Sequence, residues 1–571
     1  MRPLRSRAPS TASSAAPTAR PPAPRALLAT ASVAVSLAAA DTYVVVLALT
    51  EMMRGVGVGI DSLQRATPII SGFLLGYVAV LPLIGRVADL VDRQRVLLAC
   101  LGVFVVGSAV TALATELPVL VAGRVVQGVG GGGLVPATLA IVAQLWPADR
   151  RGVPLGVVGA VQELGSVLGP LLGALVLVVA DWRAIFWLNA VLGIVLAVAV
   201  VVTGGGAVPR PRPLVVVLSV LAAATGALAL AAPDSLVTSV SLGLPFVPFG
   251  EATSRLATPV GLVAGVMLVA ALAVGGRGAW ALLRRADLLG AVLIGGALGC
   301  VVLTFAAAEP EREVVGPLGY LLLPVAAVLV GAYAVHHRRS ETPLVPRGLL
   351  RGRLVWSLVV SLLVGVALVA VVVDVPLLAR LVHTSDQTEA ALVLVRFLVA
   401  VPVGALLGGW SLRHLGNGVV AGVGLALAAV GLAVMTTWGR GSLEEVASTL
   451  VLALTGLGIG LALAPVNDAA LAQAPSDAHG TASALVVVAR MVGMVVGVAL
   501  LTAIGLHQYY GAVAVLPDPT DTDALKDAAV LQVAWVFRGA AVAAALGAVA
   551  SLALGVRRRG DSGDHAPTFG L

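Results

Sequence analysis

Glu163 stands within Gly-Ala-Val-Gln-Glu-Leu-Gly-Ser-Val-Leu-Gly-Pro-Leu-Leu-Gly, the stretch from Gly159 to Gly173. A carboxylate inside an apolar segment long enough to cross a bilayer is costly to bury, so it marks a functional site and calls for a partner. Five more charges face the same requirement. Asp41 lies in Ala-Asp-Thr-Tyr, Arg124 in Gly-Arg-Val-Val-Gln-Gly, and Arg490 in Val-Ala-Arg-Met-Val-Gly. Asp374 precedes Pro376 by two residues, and Arg396 follows it in the next apolar run. A guanidinium never loses its charge and must face protein or water, whereas a buried carboxyl can titrate. The chemistry on offer is therefore proton exchange and ion pairing. Asp41 with Arg124 reads either as a proton-coupling pair or as a helix-to-helix hydrogen bond that never titrates. Glu163 with Arg490 reads either as a gate closing the external side or as a static brace. Asp374 with Arg396 reads as a second proton site or as part of an exit region.

These charges need apolar helices to hold them. The chain of 571 residues is 59% hydrophobic and 11% charged, with mean hydropathy +1.03, which places it outside the soluble class. It reads as an all-α polytopic membrane protein. The net charge of +7 does not point to nucleic acid, because the arginines fall in short clusters between apolar runs with no basic face interleaved with aromatics. Lys526 is the single lysine. Cys100 and Cys300 both lie in apolar runs and read as free thiols. No cluster has metal-ligand spacing and no phosphate-cradling Gly-Lys-Ser/Thr loop occurs, so neither a metal nor a cofactor is expected and ATP-driven chemistry is disfavoured. No catalytic constellation is present.

A spanning helix takes about 20 apolar residues. Such runs fall near 26–49, 67–87, 96–115, 118–144, 153–179 and 182–203, then 214–232, 258–276, 287–308 and 317–335. The last group is 354–377, 388–411, 417–437, 446–466, 481–505 and 531–556. Alternate loops carry the arginines: Arg86, Arg93 and Arg95; Arg150 and Arg151; Arg210 and Arg212; Arg284 and Arg285; Arg338 to Arg353; Arg413; Arg557 to Arg559. The intervening loops carry Glu251, Glu309, Asp386, Glu444, Glu445 and Asp518. By the positive-inside rule both termini are cytoplasmic, and shifting the count by one helix would invert everything downstream. The expected division is a cytoplasmic tail (1–25), a first bundle (26–203), a central insertion of about four helices (204–353), a second bundle (354–556) and a short tail (557–571). The arginines of the first tail precede an apolar run too long for a signal peptide.

Three sequence features go beyond spanning. Gly85, Asp89 and Arg93 follow the second apolar run in Gly-Arg-Val-Ala-Asp-Leu-Val-Asp-Arg. An acid at a helix end followed by bases can lock neighbouring helix ends and be released during a conformational change; an ordinary basic loop is the other reading. Gly159, Gly165, Gly169 and Gly173 let another helix approach closely, and Pro170 is tolerated where neighbours satisfy the freed carbonyl. Asp181-Trp-Arg opens the sixth run.

With these residues the chain resembles the major facilitator superfamily, and within it the drug:proton antiporters with fourteen helices. Gly85…Asp89…Arg93 is similar to that family's loop motif, Arg124-Val-Val-Gln-Gly128 to its fourth-helix motif, and Gly159 to Gly173 to its antiporter helix. Asp41-Thr-Tyr, Gln162-Glu-Leu-Gly, Val373-Asp-Val and Ala489-Arg-Met-Val-Gly resemble the mycobacterial branch that exports triacylglycerides and drugs. That likeness implies two six-helix bundles rocking about a central cavity, a monomer, a lipidic or amphipathic substrate, protons as coupling ion and a periplasmic lipid-binding lipoprotein as partner. A cell-membrane location goes with it, and no nucleic-acid partner. Segments 214–232 and 258–276 exceed the fourteen-helix plan. Asp92 stands where the family's loop motif has glycine, which predicts a weaker or differently paired lock. A general multidrug antiporter without a lipid role is the alternative within transport. A non-transporting scaffold or sensor has no need of unpaired intramembrane charge.

Overall fold

The computed structural model describes residues 23–58, 63–205, 212–238, 244–249, 254–306, 319–383, 387–518 and 521–555, and all regular structure among them is helical. The tail residues 1–22 and 556–571, and with them Arg210, Glu251, Glu309 and Asp386, lie outside the described residues.

The first bundle comprises α1 (Pro24–Gly55), α2 (Leu63–Leu90), α3 (Arg93–Leu113), α4 (Leu117–Leu145), α5 (Gly152–Val179) and α6 (Trp182–Gly204). The central helices are α7 (Pro213–Ala231), a single turn α8 (Asp234–Val237), α9 (Pro259–Arg285), α10 (Leu288–Ala306) and α11 (Gly319–Arg339). The second bundle is α12 (Gly352–Val382), α13 (Gln387–Leu398), α14 (Ala400–Ser411), α15 (Asn417–Met435), α16 (Val446–Gln473), α17 (His479–Val513) and α18 (Thr522–Ser551). Fifteen helical segments among the described residues are long and apolar enough to cross a membrane. They include both α7 and α9; α1, 32 residues long, packs along α5.

In each bundle a buried apolar core is surrounded by helices whose outer faces stay apolar. Phe73, Phe104 and Leu134 sit in the first core, and Phe397, Ile459 and Phe537 in the second. Exposed Leu175, Val195 and Val220 lie on helix faces that only lipid can cover without cost. α7 pairs with α9 and α10 with α11, and α10 leans on α2. The α7–α9 hairpin is tied to the first bundle where the Arg255 amide donates to Glu116 Oε1 (2.7 Å).

One local expectation is corrected. The segment Gly85–Asp89 is not a loop: α2 continues to Leu90, and only Val91 and Asp92 separate it from α3. Asp92 is the N-cap of α3, its Oδ1 accepting from the Arg95 amide (3.1 Å). The run 388–411 holds as one candidate span, Leu392–Ser411, with a break at Val399 between α13 and α14. Pro402 explains this, since it has no N–H to return to the Leu398 carbonyl.

Candidate functional site

Asp41 of α1 is 1% exposed, as is Arg124 of α4. Arg124 Nη1 donates to Asp41 Oδ2 at 2.5 Å and to Gln127 Oε1 at 2.6 Å. Gln127 Nε2 donates to Asp41 Oδ1 (2.9 Å), as does Asn189 Nδ2 from α6 (2.5 Å). Gln127 Nε2 also reaches Ser108 Oγ of α3 (2.9 Å), which itself bonds the Phe104 carbonyl. Arg124 Nε donates to the Ile69 carbonyl of α2, and the guanidinium lies over the Phe73 ring at 4.4 Å. Five helices thus supply one buried network. Asp41 Oδ1 accepts twice and Oδ2 once, and hydrogen bonds beyond the ion pair are what let a buried pair be tolerated. The sequence pairs Asp41 with Arg124; Gln127 stands in the fourth-helix motif without a role, and Ser108 and Asn189 have none assigned. Their signal was polarity within apolar runs, at one-turn spacing in the case of Arg124 and Gln127.

A small cavity of about 40 Å³ borders Asp41 and Asn189, walled by Gly169, Gly173 and Leu192. The glycines of α5 place that wall. A Cβ on Gly165 would lie 2.3 Å from the Ser36 carbonyl oxygen and one on Gly169 2.4 Å from that of Ala40. Only glycine lets α5 press so closely on α1. Gly159 is different: its Cβ position has ordinary room beside Ala405 and Leu463.

The second centre is the seam between bundles at the arginine-rich end. Asp89, in the last turn of α2, accepts from the Gly480 amide (2.6 Å), the Thr481 amide (2.9 Å) and Thr481 Oγ1 (2.7 Å). A carboxylate from one bundle caps the first turn of α17 in the other, where free amides and the helix dipole favour negative charge. Arg93 Nη2 adds a bond to the Ser476 carbonyl (3.2 Å). Gly85 lies opposite Gly480, with no room for a side chain on either. On the other flank Arg151 Nε meets Asp468 Oδ1 at 2.5 Å and Nη2 donates to the Asp468 carbonyl (3.0 Å). Asn417 Nδ2 holds Asp468 Oδ2 (2.9 Å). Sequence reasoning treated Arg151 as loop charge and passed over Asp468, an acid near the end of an apolar helix. Gly152 and Gly156 of α5 press on Gly409 of α14, where a Cβ would stand 2.4 Å from the Gly152 carbonyl oxygen.

The other sequence-derived pairs make no direct contact among the described residues, although the Arg490 charge acts on Glu163. No ion pair or hydrogen bond joins Glu163 to Arg490 among the described residues. Both are buried, at 6% and 7% exposure, and both charges act on the Tyr77 hydroxyl of α2. Each is the twelfth residue of its helix, about 17 Å from the start at a rise of 1.5 Å per residue. Glu163 therefore lies near the middle of α5. The reason they stay apart is packing: across the seam α5 packs on α14 and α16, while α17 packs on α2 and α4. Between them Gln162 and Arg490 line a cavity of only about 20 Å³. Asp374 is 3% exposed without a partner among the described residues. Arg396 turns elsewhere, donating through Nη1 to the Leu443 carbonyl and to Thr449 Oγ1, each at 3.1 Å. His336 of α11 is partly buried and bonds Asp287 Oδ1 at 2.6 Å. Both cysteines are free.

Two six-helix bundles with charged residues buried inside the first and locks across the seam define a polytopic helical membrane protein with a transporter architecture. Comparison with known proteins agrees. The sequence model of the Major Facilitator Superfamily matches residues 31–213. A triacylglyceride transporter of Mycolicibacterium hassiacum is 37% identical over 83% of this chain and 78% of that one. One from Mycolicibacterium smegmatis is 34% identical over 94% and 89%, and one from Mycobacterium tuberculosis 35% identical over 85% and 83%. Among solved structures, a proton:xylose symporter superposes with TM-score 0.53 at 13% identity, covering 92% of this chain and 94% of that one. The human organic anion transporter MFSD10 gives 0.53 at 14%, covering 93% and 100%. These two establish the fold alone. The chain belongs to the major facilitator superfamily.

Proposed function

We propose that this protein is a proton-coupled secondary exporter of lipidic or amphipathic molecules, working by alternating access in the cell membrane with its arginine-rich end in the cytoplasm. The observation that carries the reading is the pairing of two devices. Asp41 and Arg124 form a buried charge network wholly within the first bundle, while Asp89 and Arg151 reach across the seam. The first is a site whose protonation state alters the packing of one rigid body; the second joins that body to its neighbour in one conformation and not in another. The names of the curated relatives support a triacylglyceride as substrate. A periplasmic lipoprotein receiving the lipid, and a monomeric working unit, complete the reading.

Within it the domains move as units: 26–203 and 354–556 rock about the mid-span level, with 204–353 carried alongside. Protonation of Asp41 frees Arg124 from its counter-charge and loosens α1 from α4 and α6. Glu163 and Arg490, at equal depth, pair when the opposite end closes and part in the conformation described above. Asp374 serves the exit region of the second bundle, with Arg396 at its margin. A charge swap, Glu163→Arg with Arg490→Glu, restores transport lost in either single variant; two fully active single variants would refute the pairing.

The deciding experiment is transport in proteoliposomes of a fluorescent triacylglyceride and of a cationic dye, with and without a pH gradient. Lipid movement that rises with the gradient is expected. Dye movement alone would favour the general multidrug antiporter, and movement of neither would refute export.

A further inference from the structure

Two cavities meet at the arginine-rich end of the seam. One, about 350 Å³, lies between the start of α5, the end of α14 and the starts of α12 and α15, and carries Arg150, Arg353 and Arg413. The other, about 710 Å³, carries Arg25, Arg150 and Arg413 beside Trp146 and Val157. They share Asp149, Arg150, Val153 and Arg413, so they form one cleft.

The charges in that cleft do not balance. Asp468 is consumed by Arg151 and Asn417. Asp149 stands 3.5 Å from Arg150. Arg25, Arg353 and Arg413 have no carboxylate partner among the described residues. The second cavity is also amphipathic, since Leu28 of α1 and Val153, Pro154 and Val157 of α5 line it beside Trp146, and an indole suits a membrane surface.

We infer that this cleft is a binding site for the phosphate headgroup of an anionic phospholipid of the adjoining leaflet, with its acyl chains along Val157. Guanidinium forks match phosphate oxygens in charge and in geometry. A zwitterionic lipid would bring an ammonium to a site whose one open acid is already paired. The arginines come from both bundles: Arg25 and Arg150 from the first, Arg353 and Arg413 from the second. A lipid bound to Arg150 and Arg413, the two that line both cavities, holds the seam closed, and it loses one of them when the bundles part. The lipid thereby has differential affinity for two conformations, which is what a regulator of the exchange needs. The inference rests on the orientation proposed above, which puts the cleft in the cytoplasmic leaflet.

The test uses the full chain in vesicles of phosphatidylcholine, alone or with one-fifth phosphatidylglycerol, and spin labels at exposed Arg95 and Asp477, either side of the seam. Phosphatidylglycerol is expected to raise the short-distance population. Arg413→Gln is expected to raise the phosphatidylglycerol fraction needed about fivefold, as one arginine near an anionic surface contributes. Arg339→Gln, at the same end but outside the cleft, is expected to leave it unchanged. An effect equal in Arg339→Gln and Arg413→Gln would overturn the site, and so would no phosphatidylglycerol effect at all. An equal response to inorganic phosphate in pure phosphatidylcholine would overturn the lipid as ligand. Triacylglyceride transport is followed in the same vesicles, and its absence with the lipid response intact would refute export while leaving the site standing.

Discussion

Asp89→Asn changes one atom at the seam and tests whether the carboxylate cap of α17 sets the balance between conformations. Asp89 accepts three hydrogen bonds from Gly480 and Thr481. An asparagine has one acceptor oxygen, and its amide would confront a backbone donor. Hydrogen bonds to a charged group contribute about 1.5–3 kcal/mol each, and a charge at a helix N-terminus about 0.3–1 kcal/mol. Some of this is regained from water at the seam's edge. A net loss of about 2–3 kcal/mol to the closed seam follows, a shift of about 30- to 150-fold in the equilibrium. Spin labels at Arg95 and Asp477 read it directly as growth of a long-distance population. The fold itself is not at stake, because Asp89 makes these bonds to the other bundle and not within its own. A distance distribution identical to the wild type would refute the reasoning, and would mean that the Gly85–Gly480 contact alone keeps these ends together.

Asp41→Ala leaves Arg124 buried without its counter-charge and is expected to cost about 3–5 kcal/mol of stability, read as a lowered unfolding midpoint. Asp41→Asn keeps the Gln127 and Asn189 contacts and is expected to fold but to transport without response to a pH gradient. Gly409→Val places a side chain against the Gly152 carbonyl oxygen. It is expected to pry α14 from α5 and lengthen label distances across that flank, while a change confined to the α2–α17 flank would contradict it.

Much of the fold was legible because hydrophobic run length and arginine alternation are local properties of the chain. Asp41 and Arg124 could be matched because each is a lone charge in an apolar run, so burial demands an opposite partner. For Glu163 and Arg490 charge gives an electrostatic relation but no contact, since charge says nothing of which helices are nearest neighbours; the seam puts α14 and α16 beside α5. Arg396, close to the end of α13, is satisfied by Leu443 and Thr449, partners that charge counting does not reveal. Asp468 escaped notice because an acid at the last turns of a helix looks solvated until the other bundle's Arg151 arrives. The Asp92 substitution looked like a defect in the lock, whereas its Oδ1 had a local use in capping α3.

The α7–α9 hairpin has an implication for how such a chain diversifies. Two spans that leave and rejoin the same face preserve the orientation of every later helix, so a hairpin can be gained or lost in one genetic event without reversing the second bundle. A single added span could not. With the Arg255–Glu116 bond as its tie to the first bundle's loop, the hairpin has the form of a detachable module, and lineages should differ by it in pairs of helices rather than in single ones.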